Sequence, residues 1–501
     1  MFESLLKPDH NAEQGNRLVA RHVLFLQGPI SPFFKLMADK LEAEHCRCFR
    51  INLCFGDWLF WRGREATQFR GRQSDWPAFI ERYLIDNAIT DIVLLGEQRF
   101  YHKEAIKLAQ SMAIQVIATD FGYLRPDWIT FEKNGMSSSS QFPKCPEAIM
   151  ALAQKAPQLA TDHRYSDSFV QQVVWDMQYH LLSTLCALLY PGYRSHQIYH
   201  PIFVYLGTGY RLLLQKLYWR KKAEAIIEDL RVNADSYVVL PLQMQNDFQI
   251  RAYSQFDNLQ HAIKDVLVSF AKHAPAAMKL VVKIHPLDPG LINWRRFCDR
   301  LAHEYELGGR VVYVDGGSLD RLIDGAQGVV TINSTVGIWA LRRLKPVCVL
   351  GEAIYRVKGL VAENLDRFWV ELRKPEKALT DAFFEAIAGY LHVRGVYYGQ
   401  PGLANAVDEA AARLLHDKVN DLMIDDDMAD HALVQPELEA ELEAELDAEL
   451  ESVSQKLRAF FYKKNAATFM KIKLRTTLAR RSAQQYSNTQ TYHDETHAQQ
   501  E

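Results

Sequence analysis

No stretch of the 501 residues approaches the ~18 uninterrupted apolar positions of a membrane-spanning helix, so no such helix is expected. The opening residues, MFESLLKPDHNAEQGN, lack the basic, apolar and small-residue succession of a secretory signal, and the chain is expected in the cytoplasm. Cysteine is scarce. The seven (positions 46, 48, 54, 145, 186, 298 and 348) form one C-x-C and no second cysteine or histidine pair at metal-finger spacing. They are expected to be reduced, mostly packed thiols, and no metal site is expected. Neither G-x-G-x-x-G nor G-x-x-x-x-G-K-[ST] occurs, which leaves dinucleotide and P-loop readings without a motif. A net charge of −3 conceals any local asymmetry, and no nucleic-acid partner is expected.

What is present is a chain long enough for about three domains at ~150 residues each. Hydrophobic residues make up 48% and charged residues 24%, a soluble average that excludes wholesale disorder. From His22 the run HVLFLQG ends at Gly28-Pro29, and PFFKLMADKLEAEH follows with helical spacing. CFRINLC, DIVLLGEQ with HKEAIKLAQSMA, and IQVIATDFG repeat the alternation in a ~30-residue rhythm, which predicts a parallel sheet with crossover helices. Between Asp162 and Glu228 the pattern turns to long aromatic-rich helical stretches. A second alternating unit then runs through YVVLPLQMQND, HAIKDVLVSFAKHA, KLVVKIHP, VVYVDGG, VVTINSTVGIWALRRL and PVCVLG. The predicted fold class is therefore α/β, with two doubly wound Rossmann-like lobes facing across a cleft and a helical C-terminal extension. The expected boundaries are 18–160 for an acceptor lobe, 161–230 for a helical bridge, 231–365 for a donor lobe, 366–418 for helices packing back, and 419–501 for a charged tail.

That tail changes sign along its length. PELEAELEAELDAELES places an acid at every odd position from Glu437 to Glu451, with Leu438, Leu442, Leu446 and Leu450 in one i, i+4 row that favours helix. Residues 454–481 then carry nine Lys or Arg and no acid, interleaved with Leu457, Phe460, Phe461, Phe469, Met470 and Ile472. Such a stretch suits an anionic membrane surface, an intramolecular acidic partner or solvent.

In doubly wound sheets ligands bind beyond the carboxyl ends of strands, which directs attention to polar residues there. KIHP puts Lys283, His285 and Pro286 at one strand end, where the imidazole can donate to a phosphate oxygen or simply satisfy the backbone. INSTVGIWAL puts Asn333, Ser334 and Thr335 where a strand meets a helix, an anion site or a plain cap. LPLQMQND presents Asp247 beside Gln243, Gln245 and Asn246; the carboxylate can attack an anomeric carbon or abstract a proton, although Q-N-D is also turn composition. Glu352 also follows a strand. The first lobe offers Gln27, Asp57, Glu97, Arg99, Tyr101, His102, Asp120, Tyr123 and Arg125, carboxylates, guanidinium groups and rings suited to a sugar or a lipid phosphate.

FLQGPISPFF, GDW, GEQRFYHKEAI, GYLRPDWITFE, LPLQMQND, KIHP and NSTVGIWAL, in this order over residues 20 to 365, resemble the KpsS/LipB family of capsule polysaccharide biosynthesis proteins. The resemblance implies a GT-B fold and a retaining β-Kdo glycosyltransferase that uses CMP-Kdo as donor, with no further cofactor, and lyso-phosphatidylglycerol as acceptor. It implies Asp247 as nucleophile of a double displacement, and His285, Pro286, Asn333, Ser334 and Thr335 on the CMP phosphate and ribose. Gln243, Gln245, Lys283 and Glu352 complete the expected donor side. Gln27, Asp57, Arg99, Tyr101, Tyr123 and Arg125 form the expected acceptor side, with Asp120, Glu97 and His102 as alternative general bases. The expected partners are the inner-membrane surface, where the chain would be peripheral, and the capsule assembly and export machinery. Another nucleotide sugar, or a non-catalytic scaffold, are the competing readings.

Overall fold

The computed structural model describes residues 21–156, 163–245 and 247–421. All belong to the first of two units, 1–431, so the acidic run and the basic stretch read in the tail lie outside the described residues, as does Asn246.

Among the described residues twelve strands form two sheets: β1 (His22–Phe25), β2 (Arg47–Asn52), β3 (Thr67–Gln68), β4 (Asp91–Leu95), β5 (Gln115–Phe121), β6 (Trp128–Lys133), β7 (Tyr237–Pro241), β8 (Lys279–Lys283), β9 (Val311–Val314), β10 (Gly328–Thr331), β11 (Val347–Val349) and β12 (His392–Arg394). The first sheet has the order β12-β6-β5-β4-β1-β2-β3, and the second β11-β10-β7-β8-β9. The strands β4, β7 and β8 are short runs of Val, Ile and Leu whose apolar residues are buried, the half-buried Leu95 at the end of β4 apart, as parallel strands covered on both faces must be. The helix Phe33–Ala43 shows the complementary period, burying Phe33, Phe34, Met37, Ala38 and Leu41 on one side. Both lobes are doubly wound, as the sequence predicts.

The first sheet is mixed, which corrects the expectation of a purely parallel one. β5 and β6 pair antiparallel, Asp120 opposite Thr130, and β12 pairs antiparallel with β6, His392 opposite Thr130. The segment 366–418, expected as helices alone, therefore also completes the first lobe's sheet. Its helix Gly402–Leu415 packs on Phe33–Ala43, and its helix Lys377–Leu391 packs on Pro146–Ala153. Leu124, Trp128, Phe142 and Ile149 of the first lobe share one buried cluster with Val239, Val329 and Ile338 of the second. The lobes are joined by hydrophobic burial.

The bridge comprises the helices Phe169–Leu185 and Pro201–Leu214, a π turn at Gln215–Trp219 and the helix Arg220–Val232. Two glycines let it dock closely. A Cβ on Gly56 would lie 2.5 Å from the Tyr179 ring of the first bridging helix, and one on Gly207 would lie 2.2 Å from the Pro289 carbonyl oxygen of the second lobe. The second bridging helix ends in a buried ion pair, Arg211 Nη2 to Asp315 Oδ1 at 2.8 Å, which Gln215 joins by donating to the same oxygen at 2.7 Å.

Candidate active site

Strand order decides where a ligand belongs. In the second sheet the chain leaves β7 for β8 and β9 on one side, then returns to β10 and β11 on the other, so the topological switch point falls between β7 and β10. The residues beyond those two strand ends are Gln243 with Asp247, and Asn333 with Ser334. Gln243 links them: its Nε2 donates to Asp247 Oδ2 at 3.3 Å, and its Oε1 accepts from the Asn333 N–H at 3.4 Å. The carboxylate and the N-S-T turn thus sit at one place, one side chain apart.

His285 follows β8, the strand hydrogen-bonded to β7 on its other side. Its Nδ1 accepts from the Leu287 N–H at 3.1 Å, so in the neutral ring Nε2 carries the proton. Burial first, then the charges of Arg125, Lys283 and Arg211, lower its pKa to about 4, so the ring is neutral at pH 7. Lys283 donates to the Gly316 carbonyl at 2.8 Å, and its burial brings its pKa down to about 8. Ser334 caps the helix Thr335–Arg342, its Oγ accepting from Val336 N–H at 3.2 Å, while its carbonyl accepts from Tyr355 Oη at 2.6 Å. The capping reading of this turn is therefore realised, and Thr335 stands half-buried at the first helical position. Gln245 is used locally, its Oε1 accepting from Leu259 N–H at 3.2 Å. Glu352 is half-exposed and paired with Arg356 at 2.6 Å and with Lys144 of the first lobe at 3.7 Å.

The first lobe reaches the second at Glu97, which follows β4. Its carboxylate accepts from Tyr253 Oη of the second lobe and, at 2.6 Å, from the Met136 N–H; burial raises its pKa against these bonds. Asp120, at the end of β5, accepts from the Phe121 N–H at 2.7 Å. Burial raises its pKa while Arg125 and Arg99 oppose the rise. Arg125 lies over the Phe121 ring at 4.9 Å and is felt by His285 across the cleft. A residue that sequence reasoning missed joins them: His196, between the bridging helices, stacks on Phe248 at 5.8 Å, next to Asp247, and feels the charges of Arg99 and Arg251. Arg99, Arg125 and Arg251 make the region between the lobes attractive to an anion.

Residues 90–398 match the family described as "Capsule polysaccharide biosynthesis protein". The chain belongs to that family. This capsule polysaccharide biosynthesis protein is 32% identical over 399 residues to the "Capsule polysaccharide export protein KpsS" of Escherichia coli, covering 77% of this chain and 100% of that one. It is 32% identical over 397 residues to the "Capsule polysaccharide modification protein LipB" of Neisseria meningitidis serogroup A, covering 76% and 92%. Among solved structures it is similar to Thermosulfurimonas dismutans KpsC, "beta Kdo 2,7 transferase", at 14% identity and a TM-score of 0.37, covering 78% of this chain and 99% of that one.

Five residues of this family member that were expected to face ligand lie instead in its interior. Gln27 donates to both Asp57 oxygens at 3.2 Å, and Asp57 also accepts from the Leu53 and Cys54 N–H groups at 2.8 and 3.1 Å and from Tyr179 Oη at 2.9 Å. That network fastens the bridge to the first lobe. Tyr101 packs between Trp76 and Tyr193, and its Oη accepts from the Arg194 N–H at 3.2 Å. His102 is fully buried with Nδ1 bonded to the Gly96 carbonyl at 2.7 Å, and burial lowers its pKa to about 3, which withdraws it as a general base. Tyr123 likewise turns inward, donating to Glu132 at 3.3 Å.

Glu132 is the second residue missed. It closes the G-Y-L-R-P-x-x-I-T-x-E segment and is completely buried on β6, accepting from Ser140 Oγ and Tyr123 Oη. Burial raises its pKa to about 8. In the unfolded chain the same acid ionises near 4.5, so between pH 4.5 and about 8 the folded state holds a proton that the unfolded state has lost, and stability falls as pH rises across that window. Glu132→Gln is expected to flatten this decline. Urea unfolding at pH 5 and pH 8 checks it: the loss on going to pH 8 should be smaller in the variant by on the order of 1–3 kcal/mol.

Among the described residues no group of three or more His, Cys, Asp or Glu could hold a metal ion, and no helix is long and apolar enough to cross a membrane. All seven cysteines are free, with Cys46, Cys54, Cys298 and Cys348 buried.

Proposed function

We propose that the chain is a retaining β-Kdo glycosyltransferase that takes Kdo from CMP-Kdo and adds it to a lyso-phosphatidylglycerol acceptor, starting a capsule linker at the inner-membrane surface beside the assembly and export machinery. The observation that carries this reading is the Asp247–Gln243–Asn333 linkage at the switch point of the second lobe. A donor sugar held there has a carboxylate beside its anomeric carbon and a helix start beside its phosphate.

Asp247 attacks the anomeric carbon as the bond to the CMP oxygen breaks, forming a glycosyl-enzyme ester with inversion. The leaving phosphate receives the His285 Nε2–H and lies against the start of the helix Thr335–Arg342. The acceptor hydroxyl then gives its proton to a base and attacks the same carbon, expelling Asp247 and inverting again. Asp120 suits the base best, because His102 is enclosed and Glu97 is engaged by Tyr253 and Met136, whereas Asp120 lies under the influence of the cleft arginines. Arg99 and Arg125 hold the acceptor phosphate. One phosphate leaves with CMP, so the donor carries no pyrophosphate that calls for a divalent ion.

Incubating the protein with CMP-Kdo and a fluorescent lyso-phosphatidylglycerol, and weighing the product, tests the proposal. A mass increase of one or more Kdo supports it. Turnover of a different nucleotide sugar, or none with any, overturns it.

A further inference from the structure

The bridge carries a surface that the proposed reaction leaves unused. On the helix Phe169–Leu185, Val173, Met177, Leu181 and Leu185 follow one another at i, i+4, and all are exposed. On Pro201–Leu214 and the turn beyond it, Ile202, Leu206, Tyr210, Leu213 and Leu217 form a second exposed row. Leu185 is 69% exposed and Leu206 67%, in a protein whose sheets bury similar residues completely. Apolar rows of this length on neighbouring helices exceed the scattered surface hydrophobes of a soluble protein and mark an interaction face.

Charge identifies the partner. From residue 177 to residue 223 there is no Asp or Glu, while six Lys or Arg occur: Arg194, Arg211, Lys216, Arg220, Lys221 and Lys222. Arg211 is buried against Asp315, and the other five are exposed. Four of those five follow directly on the second apolar row, at 216–222. Asp176 is the one acid of the segment 169–222, so a second copy of the chain, docked through the same face, would bring two predominantly basic surfaces together, which electrostatics opposes. An anionic lipid surface offers apolar tails to the leucines and phosphates to the basic rim.

We infer that the face formed by residues 169–222 docks on an anionic bilayer. The segment between its two helices holds His196, which stacks on Phe248 beside Asp247, so the docked face borders the mouth of the proposed site. The inference deepens the proposal of a membrane-lipid acceptor by naming the surface that meets the membrane, and it can fail separately from it.

Flotation of the full chain with vesicles of phosphatidylcholine containing 30% phosphatidylglycerol, against pure phosphatidylcholine, tests this. Binding is expected to the anionic vesicles and to weaken with salt. Leu181→Asp with Leu206→Asp should lower the partition coefficient at least 100-fold, and Lys216→Gln with Lys221→Gln and Lys222→Gln about 100-fold, with thermal unfolding and CMP-Kdo turnover unchanged. Hydrogen exchange gives a second readout: slowed exchange within 169–222 on adding vesicles supports the inference. Vesicle binding unaltered by both variants, protection confined elsewhere, or a wild-type dimer that the leucine variants dissociate would each overturn it. Lost vesicle binding with intact donor turnover supports it, whereas intact docking with no donor turnover sinks the proposed reaction alone.

Discussion

Asp247→Ala is expected to lower Kdo transfer by about 10³-fold or more while CMP binds within a factor of two of wild type. The split follows from where the carboxylate stands. Its Oδ2 accepts from Gln243, whose other end holds the Asn333 N–H, so the side chain is oriented by the same amide that shapes the phosphate turn. In the proposed mechanism, removing the carboxylate deletes the group that would form the glycosyl-enzyme bond but leaves His285 and the helix start at Ser334 to meet the phosphate. Asp247→Asn keeps the shape and loses the nucleophile, so it should be equally inactive. Gln243→Leu should retain part of the activity, because the carboxylate remains but is no longer held. Single-turnover transfer with labelled CMP-Kdo, beside calorimetric titration with CMP, separates the two effects. Transfer at the wild-type rate in Asp247→Ala would remove the double displacement, and lost CMP binding would reassign Asp247 to donor recognition.

The parts of this site that the sequence reveals are those whose partners lie close along the chain or at repeated positions of a repeated pattern. Alternation of buried strands and amphipathic helices makes both lobes legible, and Gln243, Asp247, Asn333 and His285 are conspicuous as polar residues ending apolar runs. Gln243 and Asp247 are four residues apart, and no distant segment is needed to bring them together. The first lobe reads less well for a physical reason. Gln27 and Asp57 look like ligand groups until Tyr179 and Tyr193 arrive from the bridge, more than 120 positions later, and absorb them. The strand β12 is three residues long, too short for a period-two signal, and its pairing with β6 spans more than 250 positions. β6 lies almost wholly within the motif GYLRPDWITFE, whose sequence does not tell that its closing acid points inward; the structure buries Glu132 as a strand residue with Ser140 and Tyr123. His196 carries no sequence signal, since its place depends on how the two bridging helices lie across both lobes.

Asp57→Ala is expected to destabilise the fold by about 3–5 kcal/mol, the cost of breaking a buried ionic network from one side. The carboxylate is 3% exposed and accepts from two backbone N–H groups of the Leu53–Cys54 turn, from Gln27 and from Tyr179, with Arg50 at 3.8 Å. Alanine would strand each of those donors without water, and Arg50, already held below its usual pKa by burial, would lose its counter-charge. Because Tyr179 and Tyr193 belong to the bridge, the loss should loosen that segment first, exposing the first bridging helix to proteolysis at temperatures where the lobes remain folded. The same substitution separates this role from acceptor binding. If Asp57 fastens the bridge, urea midpoints fall while the KM for the lipid acceptor, measured at a temperature where the variant is folded, stays near wild type. If Asp57 touches the acceptor, KM rises several-fold with the midpoint unchanged, and the interior network described for Gln27, Asp57 and Tyr179 is not what holds the bridge.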